Sequence, residues 1–108
     1  LGMSGALTVS LLNAMHAFKG EARSPEALAR AAGRIEVEIL DAGGYHDPSI
    51  TALGGLKRLE YRNGLERAAD ISLSPETRTA FERSLLLFYG GRHHKSKPSL
   101  DLLSSRLQ

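Results

Sequence analysis

The sequence Leu1-Gly-Met-Ser-Gly-Ala-Leu-Thr-Val-Ser-Leu-Leu-Asn-Ala-Met-His-Ala-Phe-Lys19 is typical of a Gly/Ser turn that leads directly into a long, mostly apolar helix. The first residues of such a helix carry free backbone N–H groups at the positive end of the helix dipole, an arrangement that binds phosphate. Small residues at a helix start are also ordinary caps, so this stretch alone leaves both interpretations open. Because apolar residues cover most of its circumference, we expect the helix to be buried on several sides.

The composition indicates one small globular domain. The chain has 108 residues, 42% of them hydrophobic, and a net charge of +2, which does not by itself argue for nucleic acid. It has no cysteine, which excludes disulfides and thiolate metal sites and fits a reducing, cytoplasmic compartment. The apolar run at the start lacks a basic leader and is interrupted by Asn13 and His16, so we expect neither a signal peptide nor a membrane helix. The chain starts inside a motif and without Met, and we therefore expect a fragment.

The sequence predicts a second helix over residues 24–40. Ser24-Pro-Glu26 supplies a hydroxyl N-cap, a proline at the first helical position and an acid in the first turn, whereas Gly20 should end the helix before it. Apolar residues recur at helical spacing and predict a buried face formed by Leu28, Ala31, Ala32, Ile35 and Ile39.

The remainder of the chain predicts an α+β architecture. Residues 41–48 form a Gly-rich loop, and residues 54–108 carry the strands and further helices, after a short helical turn at 49–53. Asn63-Gly64 predicts a hairpin between segments 56–62 and 65–73. Short helices are predicted at 77–83 and 98–107, and the continuous apolar run at 84–89 has the length of a central strand.

Three features are candidates for chemistry, and each has a plain structural alternative. The Gly/Ser entry to the first helix is either a phosphate site or a cap. Asp47 is either functional or the start of an Asx turn before Pro48. Glu36 lies at the edge of the apolar stripe and is either functional or a solvated residue on the flank of the helix. His93-His94 lies in a basic loop without zinc-type partners, and His16 fits a packed or surface histidine better than a ligand.

Taken together, these features resemble the GHMP small-molecule kinases, a family that includes galactokinase and the homoserine, mevalonate and phosphomevalonate kinases. Leu1-Gly-Met-Ser-Gly-Ala-Leu-Thr-Val9 is similar to the second half of the family's phosphate-binding motif. Ala32-Gly-Arg-Ile-Glu36, the Gly-rich loop before Asp47 and Ile50-Thr-Ala-Leu-Gly-Gly-Leu56 continue the resemblance. Ser84-Leu-Leu-Leu-Phe-Tyr-Gly-Gly-Arg92 resembles a later strand and its loop, and the heptose-phosphate and related sugar kinases are the most similar branch.

The resemblance implies a division of roles among these residues. Backbone N–H groups around Gly2, Ser4, Gly5 and Ala6 would hold the ATP phosphates, and the Ser4 hydroxyl would help to bind Mg²⁺. Glu36 would supply a carboxylate oxygen to the same ion, which takes hard oxygen ligands completed by phosphates and water.

The same resemblance assigns the catalytic role to Asp47. It matches the family's catalytic aspartate, which would accept or orient the proton of the attacking sugar hydroxyl. The implied activity is ATP-dependent phosphorylation of a sugar or sugar phosphate by the parent enzyme. Residues 1–108 would form a single partial domain, and we expect the isolated chain to be inactive as a kinase.

The sequence also departs from the family pattern. Met3 stands where the family usually has serine, and residues 41–46 replace a more usual Gly-Glu-Pro-x-Gly-Lys-Gln type of loop. Pro48 stands where a helix former is common. The N-terminal sheet and the C-terminal Gly-rich motif of the family are missing, which would leave the apolar surface of the first helix partly uncovered.

These departures sustain a second hypothesis, a non-catalytic phosphate-binding or oligomerisation module in which a homodimer covers the first helix. A nucleic-acid-binding domain that uses residues 92–97 is disfavoured, because this basic patch has no interleaved aromatic residues.

Overall fold

The computed structural model describes residues 2–41, 44–62, 65–91 and 96–106. Their elements are α1 (Met3–Phe18), α2 (Pro25–Arg34), a π-helical turn (Ile35–Ile39), α3 (His46–Leu53), β1 (Lys57–Tyr61), β2 (Leu65–Asp70), α4 (Pro75–Ser84) and α5 (Ser96–Arg106). The chain is therefore α+β, as predicted. Leu1, the predicted turn residues Asn63-Gly64, the basic-loop residues 92–95 with His93-His94, and Leu107 lie outside the described residues.

The first helix ends where its glycine predicts. Gly20 has a φ of 71°, and its N–H donates to the Ala17 carbonyl while the Glu21 N–H donates to the His16 carbonyl. This pair of bonds is the Schellman motif, which satisfies carbonyls left free at a helix end. The His16 ring is half-buried beside it, with Nδ1 2.7 Å from a Glu21 carboxylate oxygen. His16 therefore packs at the end of the helix, in agreement with its interpretation as a packed or surface histidine.

Two helices begin with the predicted Ser-Pro-Glu signature. The Ser24 hydroxyl accepts a hydrogen bond from the Ala27 N–H at the start of α2, and the Ser74 hydroxyl accepts one from the Thr77 N–H at the start of α4. At the start of α2 the pKa of Glu26 is lowered, mainly by a hydrogen bond from its own backbone N–H and then by the Ser24 hydroxyl. These caps are local interactions, which is why the sequence alone predicts them.

The buried residues lie where α1, α2 and α3 pack against one another. The buried apolar side chains are Val9, Leu28, Ala29 and Ala32. Two glycines let neighbouring segments come closer than any side chain would allow. A Cβ at Gly5 would lie 2.8 Å from the Pro48 backbone nitrogen, and one at Gly33 would lie 2.5 Å from Cδ1 of Tyr45.

The expectation that α1 is buried on several sides is wrong for the described residues. Only Gly5 and Val9 of this helix are buried, because α2, the π-helical turn and α3 all pack on that one side. The opposite apolar face is exposed, as the missing parts of the resemblance imply; it comprises Met3, Leu7, Leu11, Met15 and Phe18.

The predicted hairpin is present as a two-stranded antiparallel sheet. Strands β1 and β2 pair in a register that places Lys57 opposite Asp70 and Leu59 opposite Ala68, with an irregularity between Glu60 and Tyr61. The Lys57 ammonium lies 2.6 Å from the Asp70 carboxylate across the two strands.

The central strand predicted at 84–89 is not formed. Ser84 ends α4, and the residues from Leu85 to Tyr89 belong to no helix or strand and are exposed. An apolar run becomes a strand only where another strand offers hydrogen-bonding partners, and the sheet among the described residues contains β1 and β2 alone. Within the described ranges, no helix combines the length and the apolar character that a membrane-spanning segment requires.

Candidate active site at the start of the first helix

Ser4 and Glu36 meet at the beginning of α1 although they are 32 residues apart in the chain. The Ser4 hydroxyl donates to Oε2 of Glu36 over 3.0 Å, and the Thr8 hydroxyl lies 2.9 Å from Oε1. The Glu36 side chain is only 1% exposed, whereas Ser4 is exposed at the open side of the pair. A buried carboxylate is costly unless it is hydrogen-bonded, and the contacts to these two hydroxyls offset part of that cost.

The π-helical turn sets the position of Glu36. Here the Leu40 N–H donates to the Ile35 carbonyl five residues earlier, over 2.9 Å. A π turn takes more residues per turn than an α-helix and is often found at functional sites. One consequence is that the regular stripe predicted for residues 24–40 fails at its end. Ile39 is 72% exposed, and the buried residue of the turn is Glu36.

Asp47 lies in the first turn of α3 rather than in the predicted loop. The helix begins at His46 because proline is tolerated in a first turn, where its missing N–H would have no partner, so Pro48 does not delay the start. The Tyr45 carbonyl accepts hydrogen bonds from both the N–H and the hydroxyl of Ser49, which anchors this turn.

The Asp47 carboxyl group faces the start of α1. A Cβ built at Gly2 would lie 3.2 Å from Cγ and 3.4 Å from Oδ2 of Asp47, and the side chain is exposed. A non-glycine residue at position 2 would also be strained, because Gly2 has a φ of 60°. The structure therefore brings Ser4, Glu36 and Asp47 to the same end of α1.

The backbone at this end presents N–H donors. Gly2 is the N-cap residue, and no side chain caps the helix there. The Gly2 carbonyl accepts the first intrahelical hydrogen bond, from the Ala6 N–H over 3.0 Å. The N–H groups of Gly2, Ser4 and Gly5 precede that bond and have no partner within the helix. The Ala6 N–H is already used by Gly2, and the phosphate-binding role of all four residues stays a prediction.

The donor set suits Mg²⁺. This ion takes oxygen ligands and is commonly bound by one or two carboxylates together with substrate phosphates. A hydroxyl and a carboxylate oxygen 3.0 Å apart, Ser4 Oγ and Glu36 Oε2, provide such ligands. Among the described residues, no group of three or more His, Cys, Asp or Glu could form a cage for a metal. The arrangement therefore fits a magnesium ion completed by phosphate rather than one held by protein alone.

Two features near the site were not predicted from the sequence. Thr8 contacts Glu36, and the His46 ring next to Asp47 packs edge-on against Tyr61 with ring centroids 5.1 Å apart. The spacing of Ser4 and Thr8, four residues apart on a helix, was the available signal for the contact of Thr8 with Glu36, since such residues share a face.

A cavity of about 670 Å³ lies elsewhere, between the hairpin and α4, and none of the predicted site residues lines it.

The comparisons with known proteins point in the same direction as the geometry. The chain is 38% identical over 60 residues to the mevalonate kinase of Methanothermobacter thermautotrophicus. The match covers 56% of this chain but only 20% of that kinase, so the similarity concerns about a fifth of the relative's length. No family model and no solved structure matches the chain. The match supports a relationship to the GHMP kinases in general and gives no support to the sugar branch in particular.

Proposed function

We propose that this chain forms the phosphate-binding part of a cytoplasmic, ATP-dependent small-molecule kinase of the GHMP type. The observation that carries the proposal is the pairing of Ser4 with the buried Glu36 beside the Asp47 carboxyl group, all at the N-terminus of one helix. The similarity to a mevalonate kinase supports the same reaction class.

The residues divide the proposed reaction between positioning and proton transfer. Phosphoryl transfer needs placement of the triphosphate and neutralisation of its charge more than covalent help from the protein. The N–H groups at Gly2, Ser4 and Gly5 would bind the phosphate oxygens, and Ser4 and Glu36 would hold the magnesium ion. When bound, that ion neutralises charge on the phosphates. Asp47 accepts or orients the proton of the acceptor hydroxyl. The oxygen of that hydroxyl bonds to the γ-phosphorus, and ADP departs.

A sugar or sugar phosphate is our proposed acceptor, on the basis of the resemblance to the heptose-phosphate branch. Mevalonate is the competing acceptor, because the similar kinase is named for it. Either acceptor presents a hydroxyl to Asp47, so the roles of Ser4, Glu36 and Asp47 are the same in both cases.

The exposed apolar face of α1 favours a second candidate function. Phe18 is 94% exposed on that face, and Met3 replaces the usual motif serine at its beginning. A homodimer that covers this face, without catalysis, is the non-enzymatic alternative.

The first experiment measures magnesium-ATP binding by calorimetry. We expect the unchanged chain to bind and Glu36→Gln to bind at least about 10-fold more weakly, since one carboxylate ligand is lost. Glu38→Gln is the matched control: Glu38 lies in the same π turn but is exposed and paired with Arg34, so affinity should be unchanged. Equal affinities for Glu36→Gln and the unchanged chain would show that Glu36 is not a metal ligand.

Asp47→Asn separates binding from chemistry in the same experiment. It should keep magnesium-ATP affinity, because the proposed role of Asp47 is on the acceptor hydroxyl. Any phosphoryl transfer that the unchanged chain shows in a panel of sugars, sugar phosphates and mevalonate should be lost. A chain that forms a stable dimer on size exclusion and binds no ATP would overturn the kinase proposal and favour the non-enzymatic alternative.

A further inference from the structure

Thr8 contacts the same carboxylate as Ser4 from the next turn of α1. Its hydroxyl lies 2.9 Å from Oε1 of Glu36, while the Ser4 hydroxyl donates to Oε2 over 3.0 Å. The two hydroxyls therefore hold one carboxylate oxygen each. Residues four apart on a helix lie on the same face, which is why a single helix can supply both contacts.

Ser4 and Thr8 would have different roles towards the Glu36 carboxylate once an ion is bound. Ser4 is exposed and stands at the open side of the pair, whereas Thr8 is half-buried behind it. If Ser4 Oγ and Glu36 Oε2 turn towards a cation, the bond between them is weakened, and Thr8 remains as the contact that fixes the carboxylate. Partners behind a metal ligand typically change metal affinity 10- to 100-fold when they are removed.

We propose that Thr8 is a positioning residue for a divalent-cation site formed by Ser4 and Glu36. It orients the Glu36 carboxylate through Oε1 and leaves Oε2 facing Ser4. The inference rests on the proposed magnesium site and adds to it a residue that touches neither the ion nor the nucleotide.

The competing role of Thr8 is purely local. Its hydroxyl also lies 2.9 Å from the Ser4 carbonyl, within the same helix, and a hydroxyl has only one proton to donate. A threonine that served only that carbonyl would be dispensable for metal binding. The two roles therefore differ in a measurable way.

The test measures binding of manganese, which prefers the same oxygen ligands as magnesium, by the loss of the free-ion electron paramagnetic resonance signal. Titrations are made with and without ATP on the unchanged chain, Thr8→Val, Thr8→Ser and Glu36→Gln. Valine keeps the branched shape without the hydroxyl, and serine keeps the hydroxyl without the methyl group. Thr51→Val is the control for the loss of an exposed threonine hydroxyl from another helix, α3.

We expect Thr8→Val to weaken manganese binding about 10-fold, and Thr8→Ser and Thr51→Val to stay within about twofold of the unchanged chain. Circular dichroism establishes whether each variant is folded. Thr8→Ala, which has a higher helix propensity than valine, provides a second hydroxyl-free variant and should weaken binding to the same extent.

The outcomes separate this inference from the proposed function. Full manganese binding by folded Thr8→Val, together with weak binding by Glu36→Gln, overturns the role of Thr8 and leaves the magnesium site in place. An unchanged chain that binds no manganese, even with ATP present, overturns both.

Discussion

At the scale of single residues, the site depends on how closely α1 and α3 approach. Gly5 lies at their contact, and a Cβ there would lie 2.8 Å from the Pro48 nitrogen, 2.9 Å from Pro48 Cδ and 3.0 Å from the Asp47 carbonyl carbon. Two of these atoms belong to the backbone and cannot rotate away. Gly5 is also adjacent to Ser4, so the same contact sets the distance between the predicted metal ligand and the predicted base.

Gly5→Ala should therefore destabilise the chain by about 1–3 kcal/mol, the cost of overpacking a close contact. The measurement is urea denaturation followed by circular dichroism. Gly90→Ala is the matched control, because a Cβ at that glycine meets nothing within 4 Å, and it should change the free energy of unfolding by less than about 0.5 kcal/mol. Equal stabilities for the two variants would contradict the close approach of α1 and α3.

At the scale of elements, α2 and α4 have the same start but different surroundings. Both begin with Ser-Pro-Glu and both serine hydroxyls accept the capping hydrogen bond. Helix α2 contributes Leu28, Ala29 and Ala32 to the buried core, whereas no residue of α4 is buried. The same local interaction is thus coupled to the global fold in one helix and not in the other.

This difference predicts unequal effects of removing the two caps. Ser24→Ala should lower the free energy of global unfolding by about 1 kcal/mol, the usual value of an N-cap. Ser74→Ala should lower only the local stability of α4, seen as faster amide hydrogen exchange in residues 77–84, because that helix can open while the core stays closed. A Ser74→Ala variant with the same global loss as Ser24→Ala would show that α4 unfolds together with the core.

The sequence predicts the elements whose causes are local and fails where the cause is distant. Gly20, Ser24 and Ser74 mark helix ends through contacts within five residues, and the structure confirms them. The exposure of Ile39 was not predictable from regular spacing, because the π turn shifts the phase of the helix. The prediction of a strand at 84–89 was wrong for a related reason, since a strand depends on pairing partners that an apolar run does not reveal.

For the candidate site, the sequence named residues but not their arrangement. The resemblance selected Ser4, Glu36 and Asp47, and the structure places all three at the start of α1. It could not show that Asp47 belongs to a helix or that Thr8 shares the Glu36 carboxylate, because both depend on the packing of α1 against α2 and α3. Their functional roles remain predictions.

At the scale of the whole molecule, apolar surface lies on both halves of the described chain. It occurs on the outer face of α1 and again in the segment from Leu85 to Tyr89, where Leu87 is 82% exposed. Contiguous exposed apolar patches mark interaction surfaces or promote aggregation. Because these side chains are exposed, they contribute little to the packing of the described residues.

Leu87→Lys should leave the free energy of unfolding within about 0.5 kcal/mol of the unchanged chain, as is usual for an exposed position. It should also reduce binding of a hydrophobic dye and raise solubility. Val9→Lys is the contrasting control, because Val9 is buried between the helices and an unpaired charge there should unfold the chain. Unfolding of Leu87→Lys would show that this segment packs against something in solution.

Every buried residue of the described part lies between Gly5 and Ser49. The contacts among α1, α2, the π-helical turn and α3 join segments that are far apart in the chain, such as Ser4 and Glu36, which are 32 residues apart, so this core forms only after distant segments have come together. During synthesis, which proceeds from the N-terminus, all of these residues have left the ribosome before the hairpin is complete. We therefore expect the core, with Glu36 inside it, to be able to form before the hairpin and the later helices are available to pack.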